Sequence, residues 1–144
     1  MQTVKMRVIF STSKKKVVTF ATAIAEAFKC QTDAVPPAFP CDKEKLVVIV
    51  MSIGDKPDDK LRRFCGELNK TRALNTALIV DGNPESKGVE QVKEILKEAG
   101  TNVIDEVYTV DGGGFFGKKI SLEERTNIVK WVEKIINETF GNAQ

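Results

Sequence analysis

The chain of 144 residues predicts an α/β protein, a three-layer α/β/α sandwich around a five-stranded parallel sheet of order 2-1-3-4-5. Three observations carry that expectation. Apolar runs rich in β-branched residues alternate with segments of helical period, the signature of βαβ units. The third such run, Leu46 to Ile53, is apolar at nearly every position, as a strand covered on both faces must be. The first run leads through a tight loop, Ser11-Thr12-Ser13-Lys14-Lys15-Lys16, directly into an amphipathic helix, which is where doubly wound proteins present backbone N–H groups to a phosphate.

The elements follow in order. Strand one covers Val4 to Ser11, and helix one repeats Val17, Phe20, Ala21, Ile24, Ala25 and Phe28 at core-facing spacing. Strand two, Cys30 to Val35, is short and polar and runs into Pro36, Pro37 and Pro40, which places it at an edge. After strand three, helix two carries Leu61, Phe64, Cys65 and Leu68 on one face, so that Cys65 reads as a small core residue. Strand four is Leu74 to Val80. Asn83-Pro84 reads as an N-cap with proline at the first helical position, opening a helix that buries Val92, Ile95, Leu96 and Ala99 and ends at Gly100. Strand five spans Val103 to Val110; a glycine-rich loop, Asp111 to Lys119, then leads to the capping box Ser121-x-x-Glu124. The last helix buries Ile128, Trp131, Val132, Ile135 and Ile136.

With 42% apolar residues the chain fits a single domain over residues 1–144. Its 22 basic and 20 acidic residues alternate along the sequence, which marks out no face for nucleic acid or for a membrane surface. The longest apolar run, Leu46 to Met51, is too short to span a bilayer, and the first residues lack the pattern of a signal peptide, so a cytoplasmic protein is expected. Cys30, Cys41 and Cys65 are odd in number and form no C-x-x-C, against a disulfide framework or a zinc site, and there is no histidine to act as base or metal ligand. No metal site and no catalytic side chain are expected. Ser11, Thr12 and Ser13 have neither a histidine nor a G-x-S-x-G elbow to make a nucleophile of them.

From strand one to the last helix the chain resembles the flavodoxins and short flavodoxin-like domains. The resemblance implies non-covalent FMN and electron transfer. The phosphate loop of that family reads S/T-x-T-G-x-T. Thr12 stands at its first hydroxyl, whereas Lys14, Lys15 and Val17 stand where the second hydroxyl, the glycine and the last threonine belong. Gly113-Gly114-Phe115-Phe116-Gly117 and the final helix are similar to the corresponding end of the family. The implied FMN site comprises Thr12, Ser13, Lys14, Lys15 and Lys16 at the phosphate, with Ser52-Ile53-Gly54 and Asp81-Gly82-Asn83 flanking the ring, although neither flanking loop supplies an aromatic.

Three lysines at a helix N-terminus oppose the macrodipole by about 0.3–1 kcal/mol each, a strain that a bound anion relieves. Asp55, Asp81 and Asp111 follow central strands on the same edge as the lysines, and are expected to pair with them across the crevice. The same acids read otherwise as turn formers, since Asp-Gly occurs at 81 and 111. A Mg²⁺ site of the receiver-domain kind needs an acidic pair after strand one, where this chain has Ser11 and Thr12. Phe115 and Phe116, between glycines, are candidates for a flavin ring or a partner surface. Two functions remain open: a flavodoxin-like protein with weak or atypical FMN binding and an electron-transfer role, or a flavin-free accessory module acting on a protein partner.

Overall fold

A computed structural model describes residues 4–11, 14–110 and 122–141. Its strands are β1 (Met6–Phe10), β2 (Gln31–Ala34), β3 (Glu44–Ser52), β4 (Ala73–Asp81), β5 (Asn102–Val103) and β6 (Tyr108–Val110); its helices are α1 (Lys15–Phe28), α2 (Asp59–Gly66), α3 (Lys87–Ala99) and α4 (Leu122–Phe140). Every strand pair is parallel, in the order β2-β1-β3-β4, with β5 and β6 both on the outer edge of β4.

The period-2 alternation of the central strands decides how the layers assemble. Met6, Val8, Leu46, Val48, Val50, Ala77 and Ile79 face one way, and pack with the buried stripes of α1 and α4. Ile9, Val47, Ile49, Met51, Leu78 and Val80 face the other way and pack with α2 and α3. Both faces of β3 and β4 are therefore covered, which is why Leu46 through Met51 are all buried without a polar residue between them. The expected core of α1, α2 and α4 is borne out, including Cys65, except that Phe28 at the end of α1 is half-buried; on α3, Val89 joins Val92 and Leu96 in the core, while Ile95 and Ala99 are half-buried.

Two elements differ from the sequence reading by more than a residue or two at an end. The fifth position of the sheet holds two short segments in place of one strand from 103 to 110. Between them Glu106 is drawn onto α4, where its carboxylate accepts from Trp131 Nε1 and Lys134 Nζ, each at 2.8 Å. Those bonds hold the Glu106 carboxyl below its usual range, the Lys134 ammonium being the larger cause. The second difference lies at α3, whose N-cap is Ser86: its hydroxyl accepts from Val89 N at 3.3 Å. Asn83 instead closes a turn, its Oδ1 accepting from Glu85 N at 2.9 Å, because a short asparagine side chain reaches its own backbone two residues on. The Ser121 half of the capping box before α4 lies outside the described residues.

The connection from β2 to β3 is tied down by side chains. Arg7, only 8% exposed, donates from Nη1 to the Phe39 carbonyl at 2.6 Å and pairs through Nε with the Glu44 carboxylate at 3.7 Å. Lys5 Nζ donates to the Asp42 carbonyl alongside.

Candidate functional site

The carboxyl ends of β1, β3 and β4 meet the start of α1 at the point where the strand order reverses, the usual crevice of an open α/β sheet. Register places Ser52 directly beside Asp81. Both fall on the alternation that includes Val50 and Ile79, so they face the side of the sheet that α1 covers.

Lys14 and Lys16 come down onto this pair. Lys14 Nζ donates to Ser52 Oγ at 3.0 Å, and Lys16 Nζ meets Asp81 Oδ1 at 2.8 Å across the end of β3. The Lys16 and Asp81 side chains are 17% and 19% exposed, so water still screens the pair. Lys15 faces outward, and its carbonyl accepts from Thr19 Oγ1 within the helix.

Among the described residues the N-terminus of α1 has neither a side-chain cap nor an acid of its own. Its N-cap, Lys14, makes no side-chain capping bond, and the first turn contains no acid. By contrast, α2 begins with Asp58, whose carboxylate accepts from Leu61 N at 2.9 Å, and carries Asp59 in its first turn. The positive end of α1 and its lysines therefore concentrate positive charge at the crevice, with Asp81 as the counterion that the described residues provide.

The flanking loops are held in place from below. Gly88, in the first turn of α3, donates to the Gly54 carbonyl at 3.1 Å, and Gln91 Nε2 donates to the Asp55 carbonyl at 3.2 Å. Ile53 is half-buried against the α2–α3 side of the core. Gly82 takes φ of 142°, a backbone that glycine adopts freely, which lets the chain turn sharply after Asp81. Asn83 and Gly54 are exposed.

Of the acids expected to meet the lysines, Asp81 does so. Asp55 is exposed and makes no ion pair among the described residues, because its loop is anchored toward α3 and away from α1. Asp111, Thr12, Ser13, Phe115 and Phe116 lie outside the described residues.

Two of the concavities away from this crevice border the second strand and the proline-rich connection, and the sequence marked neither. One, of about 700 Å³, opens at the amino ends of β1, β2 and β3 beside Phe28, Cys30 and Glu44. The other, of about 320 Å³, lies between the proline-rich connection and α2. Among the described residues no cluster of three or more potential metal ligands occurs, and no helix is long and apolar enough to cross a membrane.

The thiols are chemically quiet. Burial pushes Cys65 up to about 12 and Cys30 up to about 11, the latter with help from the nearby Glu44 charge. Burial also raises Cys41, against the opposing pull of Arg7. The native protein at pH 8 is expected to resist Ellman's reagent and to release three thiols once unfolded in guanidinium; fast reaction of a native thiol would contradict this. The sign for stability follows: the protonated thiols favour the fold fully below their ordinary value of 9.0, and that contribution is lost as pH rises toward about 11 and 12.

No family model matches the chain, and no curated protein matches it significantly in sequence. Solved structures do match. The flavodiiron core of Flv1 from Synechocystis sp. PCC6803 superposes with a TM-score of 0.59 at 12% identity, over 93% of this chain and 37% of that one. The chain thus spans little more than a third of that protein. A flavodoxin from the domain Archaea superposes with a TM-score of 0.51 at 13% identity, over 91% of this chain and 98% of its own. The fold is flavodoxin-like.

Proposed function

We propose that this chain is a single flavodoxin-like domain, cytoplasmic, that binds FMN weakly and by an atypical phosphate contact, with a role in electron transfer. The observation that carries the reading is the start of α1, where Lys14 and Lys16 gather over the ends of β3 and β4 and the described residues supply neither a side-chain cap nor an acid in the first turn. The phosphate end of FMN fits this chemistry: lysine ammonium groups and a positive helix end take the place of the hydroxyls and glycine of the usual cradle. Thr12, Ser13 and Lys15 are assigned to the same end. The ring end fits less well, because Ser52, Ile53 and Gly54 on one side and Asp81, Gly82 and Asn83 on the other supply no aromatic face. Phosphate attraction with little ring stacking is the combination that yields weak binding. FMN, when bound, supplies the redox chemistry, and the protein's part is to hold it and set its electrostatic surroundings.

The second reading, a flavin-free module that acts on a protein partner, is favoured by the Lys16–Asp81 pair, which already neutralises one of the cations an anion would seek. Phe115 and Phe116 are its proposed contact surface.

FMN titration, read by flavin fluorescence, separates the two. Under the first reading Asp81→Ala removes an acid from the crevice and tightens FMN about two- to fivefold, the equivalent of the roughly 0.5–1 kcal/mol of an accessible ion pair. Lys14→Ala with Lys16→Ala weakens it. A native protein and an Asp81→Ala variant both indifferent to excess FMN would leave the flavin-free reading standing.

A further inference from the structure

We propose that the groove between the proline-rich connection and α2 is a second binding site, for a small organic anion with an apolar body. The groove holds about 320 Å³, at the lower end of the range of about 300–1,000 Å³ typical of small-molecule sites. Its floor is Phe64 and Leu68, and one wall is Pro36, Pro37 and Pro40. Phe39, on the same connection but outside the groove's lining, is 75% exposed.

The opposite rim is cationic. Lys60, Arg63 and Phe64 stand at i, i+3 and i+4 on α2, so that two charges border the aromatic floor on one helix face. Arg72 completes the rim but is already paired with Glu67 at 3.7 Å. Lys60 and Arg63 have no acidic partner among the described residues. The lining carries three cations, Lys60, Arg63 and Arg72, against one acid, Glu67, and an apolar floor with that positive excess is complementary to a carboxylate or sulfonate carried on rings or on an alkyl chain.

The same wall argues against an extended peptide. Its three prolines have no N–H, so a strand laid along them finds few main-chain donors, and the occupant must gain its affinity from apolar contact and charge. The walls are also firm. Arg7 anchors the connection at the Phe39 carbonyl, and Phe64 belongs to the buried core.

Anilinonaphthalene sulfonate, which fluoresces in apolar surroundings, is the probe. The native protein is expected to bind it saturably at one site, with amide NMR shifts at Cys41, Lys60 and Arg63. Arg63→Glu and Lys60→Glu should each weaken binding at least about fivefold; both residues are exposed, and circular dichroism verifies the fold. Phenylnaphthylamine, the same rings without the sulfonate, should bind at least about fivefold more weakly than the sulfonate. Lys16→Ala should leave the dye unaffected, which separates this groove from the crevice at α1. The proposal is overturned by non-saturable fluorescence, by shifts confined to other parts of the chain, by indifference to both charge reversals, or by equal binding of the uncharged rings.

Discussion

Glu44→Ala is expected to destabilise the protein by about 3–5 kcal/mol, the characteristic cost of leaving one member of a buried ion pair without its partner. Glu44 is 6% exposed and Arg7 8%, so only a small part of either charged side chain reaches the water in the concavity that both of them line. The other contacts of Arg7, to the Phe39 carbonyl at 2.6 Å and the Cys41 sulfur at 3.9 Å, are with neutral groups and cannot balance a guanidinium. Equilibrium unfolding in urea measures the loss, accompanied by a fall in Tm on the order of 10 °C. Replacing both partners with apolar residues of similar volume, Arg7→Met with Glu44→Leu, should recover most of it, because the larger part of the penalty is the stranded charge. An alanine variant as stable as the native protein would show that the 3.7 Å contact contributes nothing.

Gly88→Ala sets two effects of opposite sign against each other. In a helix, alanine is favoured over glycine by about 1 kcal/mol, so propensity alone predicts a stabilised protein. A Cβ at Gly88, however, would lie 2.3 Å from the Gly54 carbonyl oxygen and 2.8 Å from Ile53 Cγ1. The first of these is backbone, held by a hydrogen bond from Gly88 itself at 3.1 Å, and cannot rotate away. Packing wins, with a net loss of about 1–3 kcal/mol. Thermal unfolding checks the sign. Gly54→Ala is the control: a Cβ there meets nothing within 4 Å, and the change should stay within about 0.5 kcal/mol. Because Ser52 to Gly54 borders the crevice, Gly88→Ala should also shift the amide NMR signals of that loop.

The pairing of Asp81 with the lysine loop was foreseeable, since both follow strands that end on one edge of the sheet; the failure of Asp55 to join them was not. Asp55 and Asp81 look alike in sequence, each just past an apolar strand. What separates them is the grip of Gly88 and Gln91 on the loop at 54 and 55, which comes from a helix more than thirty residues downstream. The broken fifth strand has a similar origin, as nothing near Glu106 announces that Trp131 and Lys134 will claim its carboxylate. The groove under the prolines is of the same kind. Pro36, Pro37 and Pro40 read only as a turn until α2 is laid beside them.

The strand and helix periods, the two-sided burial of the central strands, the edge character of the second strand and the parallel order of the sheet were all legible in the residues alone. The periods and burial rest on spacings of two, three and four residues, which backbone geometry converts into a buried face; the edge strand rests on its polarity and prolines, and the parallel order on the alternation of strands with helices. Which of the lysines meets Asp81, that Arg7 is buried against Glu44, and that Gly88 leaves room for the loop at Gly54 all depended on the folded arrangement. Each of those contacts joins residues far apart in the chain. Its geometry depends on strand register and on where a helix lands, and both are set by how the whole core packs, not by any local pattern.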